Sequence, residues 1–390
     1  MNEIKEMFDN ISLIEDVRKL FPITKSCVYL DSAHYSQYSL ETNRRLFEFI
    51  NKFTHTNIDL GIFNEKKSKT LKEKIAKLIG AYAKEIIITT STTHGINIFA
   101  HGIDLNRGDT VAFPNCEFPA VVYPWVNLEK LKGINTVLIP SDRGIIKIED
   151  IEKKIKENDV KVLAISSVEF LGFRNDMGTI NKICKNNDCY LMVDAIQSLG
   201  VCPMDVKKFG IDYLAGGSQK WMMAPSGVGF AYISEDMRNK ISPTFIGTGS
   251  IKFDFKNFLS YKLNFREDGK AYENSTVNCL GMIGLESSID LFLKLGVENI
   301  FSYILNLIDV FMEGLKGSDY RIESDRSPEH RSNIILFSHA DKSKNEFIHH
   351  ELEKKNIFIS YREGYLRLSP HIFNNEQDIK KLTDELLVIG

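Results

Sequence analysis

Apolar residues along this chain fall into short blocks separated by charged, helix-forming stretches. Ile86-Ile-Ile88, Val111-Ala-Phe113, Val162-Leu-Ala-Ile165, Leu191-Met-Val193 and Phe230-Ala-Tyr-Ile233 are almost wholly apolar. A strand covered on one face alternates apolar with polar residues, so unbroken apolar runs predict strands buried on both faces. Strands are expected at 85–90, 110–114, 136–140, 160–166, 190–193, 213–215 and 227–234. Between them lie charged helical stretches such as Lys66 to Ile79, closed by Gly80, a residue type that readily ends helices. Strand and helix alternating over roughly 200 residues predict an α/β fold built on a doubly wound, mostly parallel sheet.

The rhythm changes near residue 240. Pro243 to Phe265 reads as irregular, with the turn Gly247-Thr248-Gly249. Two long helices (277–295 and 297–315) follow, then a strand (333–338), a helix (344–355), a β-run (358–369) and a closing helix from Glu376. This half predicts a smaller α+β domain. Before the first strand, an amphipathic helix over 13–20 leads to the apolar run Val28 to Leu30, which ends at Asp31. The expected division is therefore 1–25 as an N-terminal helical segment packing with the small domain, 26–260 as the large ligand-binding domain and 261–390 as the small domain.

Composition narrows the class. The 390 residues carry a net charge of −3, with 43% apolar and 26% charged positions, as in an ordinary globular enzyme. With no basic surplus, nucleic acid is not the expected ligand. No apolar run reaches the roughly 18 residues of a membrane span, and MNEIKEMFDN lacks the basic start and apolar core of a signal peptide. The six cysteines form no CxxC pair, as expected for packed thiols in a reducing cytoplasm. His349-His350 sits in a predicted exposed helix with no acidic partner read at ligand spacing, so no metal is expected. No GxxxxGK[ST], HExxH or GxSxG motif is present.

In a parallel sheet, ligands bind beyond the carboxyl ends of the strands. Three segments place chemistry there. Thr89-Thr-Ser-Thr92-Thr93-His-Gly95 follows a strand and opens a helix, where hydroxyls and unpaired N–H groups suit a phosphate, although a simple N-cap would use the same residues. Asp194, ending an apolar strand, needs a cationic or hydrogen-bonding partner if buried. Lys220, in Gly216-Gly-Ser218-Gln-Lys220, is an accessible amine that partial desolvation would make nucleophilic.

Their order, a Thr-rich turn, Asp194-x-x-Gln197, then Ser218-x-Lys220, resembles fold-type I pyridoxal-phosphate enzymes. More narrowly it resembles the class V aminotransferase group, which includes cysteine desulfurases and isopenicillin N epimerase. The likeness starts at Val28-Tyr-Leu-Asp-Ser-Ala33, passes through Lys220 to Phe230 and Tyr272 to Asn278, and ends at Arg367-Leu-Ser-Pro-His-Ile-Phe-Asn374. It implies pyridoxal 5'-phosphate as cofactor, with Lys220 as the Schiff-base lysine and proton shuttle, Asp194 on the ring nitrogen and Gln197 on the phenolic oxygen. Thr92, Thr93, Ser218 and, from a neighbouring subunit, Thr276 would hold the phosphate. Arg367 would bind the substrate carboxylate, and His34 would face the substrate. A homodimer with composite sites follows from the same likeness.

The sequence departs from the desulfurase pattern. Phe118 stands where the stacking histidine is expected, and a phenyl ring cannot move protons. Gln219 precedes the lysine. Between Arg362 and Arg367 there is only Glu-Gly-Tyr-Leu, with no nucleophilic cysteine. The expected function is a PLP enzyme acting at the α carbon of a small amino acid, of aminotransferase type, with a lyase or epimerase as the alternative and a desulfurase less favoured.

Overall fold

Each of the expected blocks becomes a strand of one sheet in the computed structural model, which describes residues 1–252, 256–257, 259 and 261–390. In chain order these are β1 (Ile86–Thr89), β2 (Thr110–Pro114), β3 (Asn135–Ile139), β4 (Val160–Ser166), β5 (Tyr190–Asp194), β6 (Tyr213–Gly217) and β7 (Gly229–Ile233). Their order across the sheet is β1-β7-β6-β5-β4-β2-β3. Successive side chains of a strand belong to opposite faces. Ala112, Leu163, Ile165, Leu191, Val193, Leu214 and Phe230 join one apolar cluster, whereas Val111, Phe113, Val162, Ala164, Met192, Tyr213 and Ala231 join another. That double burial is why the strands are apolar throughout.

One strand runs against the others. β7 pairs antiparallel with both β6 and β1. The connection from Gly217 to Gly229 contains no helix, and a short return without a crossover favours the antiparallel arrangement.

The C-terminal half holds a four-stranded sheet containing β8 (Tyr320–Ile322), β9 (Ile335–His339), β10 (Ser360–Arg362) and β11 (Tyr365–Leu368). The expected single β-run at 358–369 is split. Glu363 (φ +50°) and Gly364 (φ +83°) are both left-handed, which makes a tight hairpin between β10 and β11. Val28–Tyr29 pairs in parallel with Ile357–Phe358, and Asp31 bridges to Ser369, so the start of the chain lies along this hairpin.

The N-terminal segment differs from expectation. Residues Ile14–Leu20 form a 3₁₀-helix, and a further α-helix covers Asn2–Asp9. Ile14, Val17 and Leu20 recur every three residues, which matches the 3₁₀ repeat and sets them on one edge. Arg18 grips Asp378 through two bonds of 2.6 and 3.0 Å, and Phe21 packs on Phe373 with ring centroids 4.8 Å apart.

The helices that matter for the site are α1 (Leu60–Ile79), α2 (Thr92–Gly102), α3 (Pro119–Lys132) and α4 (Cys279–Leu295). The nearly buried Glu286 of α4 takes Lys67 at 2.5 Å and Lys74 at 2.9 Å from α1. The segment expected to be irregular, 243–265, has no helix or strand in its described part; the rest lies outside the described residues. Among the described residues, no single helix is long and apolar enough to cross a membrane. α4 and Val297–Gly314 pass that test only together, across an 83° bend.

Candidate active site

Three neighbouring strands are in register at the carboxyl edge of the sheet. Ser166 of β4, Asp194 of β5 and Ala215 of β6 are Cα partners, so the loops beyond them converge. Asp194 is 2% exposed; its Oδ1 accepts the Ile196 N–H at 2.8 Å, and among the described residues no cation lies within ion-pair distance. Burial pushes its carboxyl up to about 6, against the opposing pull of the Ile196 amide and the more distant Lys220.

Lys220 is held by a tight loop. The Ser218 carbonyl accepts the Ala224 N–H at 3.0 Å, and the Lys220 carbonyl accepts that of Met223 at 2.9 Å. Met223 is left-handed (φ +48°), a strained backbone for a side chain of its size. Buried Trp221 anchors the loop twice. Its indole N–H donates to Gln197 Oε1 at 2.7 Å, and its carbonyl lies 2.9 Å from His371 Nε2. His371 Nδ1 accepts the Ile372 N–H at 2.7 Å, so Nε2 carries the ring proton and donates. Burial holds this imidazole at about 4, which keeps it neutral.

The Lys220 amine emerges 5.4 Å from the centroid of the Phe118 ring. Desolvation pulls its pKa down to about 8. Arg367 and Arg362 push the same way, while Asp194 and Asp31 oppose. The amine, Asp194, Phe118 and Arg367 thus share one site.

The remaining expected residues divide. Thr92, at the start of α2, is buried with its Oγ1 unpartnered, and Ser91 caps the helix by accepting the His94 N–H at 3.1 Å. Gly217 is required here: a Cβ would stand 2.8 Å from Thr92 Oγ1 and 2.9 Å from Gln219 Oε1. Gln197 spends one amide hydrogen on the Ala33 carbonyl (3.1 Å) and keeps the other. Thr93 is exposed and lines a cavity of about 500 Å³ with His94, Asn97 and Phe245, a lining that excludes Lys220 and Asp194. Ser218 corrects its expectation as a phosphate ligand. Its hydroxyl faces the carbonyls of Pro225 (2.5 Å) and Val228 (2.7 Å), so it fastens the lysine loop. Thr276 is exposed and is not the cap of α4; Asn278 is, accepting the Gly281 N–H at 3.0 Å.

Arg367 is buried. Its Nη1 donates to the Phe170 carbonyl (3.0 Å) and its Nη2 to Ser360 Oγ (3.1 Å), with Asp31 Oδ1 at 3.5 Å from Nη2. Nε is buried without a partner. Ser360 also donates to Asp31. Desolvation lowers the guanidinium to about 10. His34 is exposed, with Nδ1 3.4 Å from Asp31 Oδ2 and its ring against Tyr35.

Asp31, Phe170, Ser360 and Arg362 had not been singled out as site residues. Asp31 had a legible signal, an acid closing an apolar run; the others are brought in by the hairpin and the β4 loop. No thiol lies on the β10–β11 hairpin. Cys202 donates to Asn333, Cys116 faces the Gly144 carbonyl and Cys279 heads α4. Burial raises the pKa of Cys27, Cys116, Cys202 and Cys279, which makes them poor nucleophiles. The His349–His350 pair does have an acid in reach, Glu353, one helical turn on. These are ordinary i,i+3 and i,i+4 contacts on an exposed helix face.

The family model of class-V aminotransferases matches residues 28–382. This chain belongs to the class-V aminotransferase family. A probable cysteine desulfurase of Methanothermobacter thermautotrophicus is 26% identical, with 95% of this chain and 97% of that protein covered. The apo structure of a cysteine desulfurase from Thermococcus onnurineus NA1 superposes with a TM-score of 0.87 at 25% identity, covering 97% of this chain and 99% of that one. A mutant of C-DES with glycine covalently linked to its PLP cofactor shares the fold, with a TM-score of 0.88 at 20% identity, covering 96% and 99%.

The class-V protein is a PLP-dependent enzyme, and its residues fit pyridoxal phosphate. A buried carboxylate lacks a cation, a buried hydroxyl at a helix start lacks a partner, a glycine leaves the space that a Cβ would fill, and a lysine amine is desolvated between them.

Proposed function

We propose that this class-V enzyme abstracts and returns a proton at the α carbon of a small amino acid, in aminotransferase-type chemistry. The observation that carries this reading is the Lys220 amine, brought down to about 8 beside Phe118 and Gln219, neither of which can move a proton. A base with a pKa near the working pH has both a useful neutral fraction and a useful driving force. When bound, pyridoxal phosphate supplies the electron sink that stabilises negative charge at that carbon.

The chain's own groups divide the work. Lys220 would hold the cofactor aldehyde and then move the proton. Asp194 would keep the ring nitrogen protonated, the spare Gln197 N–H would face the phenolic oxygen, and Phe118 would cover the ring. Thr92 and the first-turn N–H groups of α2 would hold the phosphate. Arg367 would clamp the substrate carboxylate with two parallel hydrogen bonds.

The β10–β11 hairpin bears on the choice of reaction. Its turn is Glu363-Gly364, so it offers no thiol where a desulfurase carries its acceptor. Product analysis separates the readings. Incubation with each amino acid in turn, an α-keto acceptor present, is expected to yield the matching α-keto acid. Pyruvate, ammonia and sulfide from cysteine would mark an eliminating lyase. Alanine with persulfide would return the protein to desulfurase chemistry. In the same assay Arg367→Lys is expected to raise KM for α-amino acids by about 10-fold or more, because an ammonium cannot reproduce the bidentate clamp. An unchanged KM would remove Arg367 from the carboxylate site.

We also propose a homodimer with composite sites, in which the exposed Thr276 reaches the partner's phosphate. Light scattering of the holoenzyme is expected to report twice the 44.5 kDa chain mass. A monomer with full activity would exclude this.

A further inference from the structure

Two acids lie buried beside this site, and the roles proposed above use neither. Glu117 precedes Phe118, and Glu169 sits on the loop after β4; they are 8% and 0% exposed. Glu117 accepts from the Ser166 amide at 2.5 Å, the Ser166 hydroxyl at 2.8 Å and the Phe118 amide at 3.2 Å. Glu169 accepts from Asn175 Nδ2 at 2.7 Å through Oε1 alone, and its Oε2 is buried with no donor. Asn175 joins the two acids: its Nδ2 donates both to Glu169 and to the carbonyl of Ser166 (2.8 Å), whose amide and hydroxyl donate to Glu117, and the Glu117 carboxyl pushes that of Glu169 up by like charge. The titratable groups facing them are Asp194 from β5 and the Cys116 thiol, and among the described residues no cation pairs with either acid.

Two adjacent carboxylates without a cation cannot both stay ionised in a dry interior. An acceptor with no donor, beside a carboxylate that already accepts three N–H or O–H groups, is where a proton belongs. We infer that Glu169 keeps a proton at neutral pH and donates it to Glu117, forming an acid–acid clasp between the β4 loop and the start of α3. Burial raises both carboxyls, Glu117 less, because its three donors favour the charged form.

The clasp matters through what its two ends carry. Glu117 holds the amide of Phe118, whose ring faces the lysine amine. The Glu169 loop carries Phe170, whose carbonyl accepts Arg367 and whose ring meets Phe118 edge-on at 6.1 Å. Glu117 and Glu169 are therefore positioning residues that tie the ring cover to the carboxylate clamp, an inference that rests on the proposed roles of Phe118 and Arg367. Loss of the proton leaves two like charges in contact and loosens the 167–175 loop.

The sign of the pH dependence follows. A raised carboxyl pKa means that the folded protein keeps a proton which the unfolded chain releases. The clasp's contribution is complete below the ordinary Glu value of 4.5 and is lost as pH rises through the pair's titration. Glu169→Gln substitutes an amide N–H for the acid proton and should keep the clasp while removing its titration.

The test reads infrared spectra, melting and hydrogen exchange on the holoenzyme and the cofactor-free protein, without substrate. A protonated-carboxyl band, shifted by D₂O, is expected in wild type at neutral pH and lost in E169Q. From about pH 5 to about pH 9, wild-type Tm should fall by about 4 °C more than that of E169Q. Over the same range the protection of segment 167–175, corrected for intrinsic exchange, should drop in wild type alone. Absence of the band in wild type, which needs no variant, would overturn the clasp, as would equal pH slopes in the two proteins. Neither arm depends on which amino acid the enzyme takes, so their failure is distinct from failure of the proposed reaction.

Discussion

Lys220→Ala is expected to lower turnover by at least about 10³-fold, within the range for removal of a general acid–base, while leaving the protein folded. Two facts give this variant its large effect. The amine is the group whose desolvation brings its pKa to about 8, and Gln219 and Phe118 beside it cannot replace it as a base. The stability sign is opposite to the activity sign. A depressed lysine pKa means that the folded state binds fewer protons than the unfolded chain between about 8 and 10.5, so wild type gains stability as pH climbs through that window. In the cofactor-free proteins the alanine variant lacks this climb and should melt no lower than wild type at neutral pH. Borohydride reduction followed by peptide mass analysis checks the assignment: the cofactor mass should appear on the Lys220 peptide. Its appearance on another lysine would refute the role.

Asp194→Asn should weaken cofactor retention by about 10- to 100-fold, the scale of a charge-assisted hydrogen bond at a buried site. Turnover should fall further, because charge developing at the α carbon depends on a protonated ring nitrogen. Without the cofactor the effect reverses. Burial raises the Asp194 carboxyl to about 6, so the folded protein is penalised for the charge above that pH and not below the ordinary value of 3.8. Cofactor-free Asp194→Asn is therefore expected to match or exceed wild-type Tm at neutral pH, with the gap closing as pH falls toward 4. Calorimetry of the two cofactor-free proteins measures this, and near-normal turnover by the variant would contradict the role.

The parts of the site that were legible in the sequence share a cause. Asp194 closes an apolar strand, and Thr92 and Lys220 lie three residues beyond one; a strand buried on both faces delivers the residues at and just past its end to the ligand edge of the sheet. Local pattern is enough to place such a residue. What residue type alone did not give was the geometry of the loop that carries it. Ser218 faces carbonyls seven and ten residues on, and that could not be told from an open hydroxyl. The antiparallel turn of β7 hung on the absence of a crossover helix, a negative signal within an otherwise regular series.

By itself, then, the pattern of this chain determined the layered α/β class, the positions of the seven strands of the large sheet to within a residue or two, and the order of the chemistry along the sheet edge. These depend on hydrophobic period and on neighbours in sequence. Only the tertiary structure decided that Arg367 is buried against Phe170 and Ser360, that His371 holds the lysine loop through Trp221, and that Glu117 meets Glu169. The reason is physical. Hydrogen bonds and pKa values in a dry interior are set by groups 50 to 200 residues apart in the chain, and no local period encodes which of them meet.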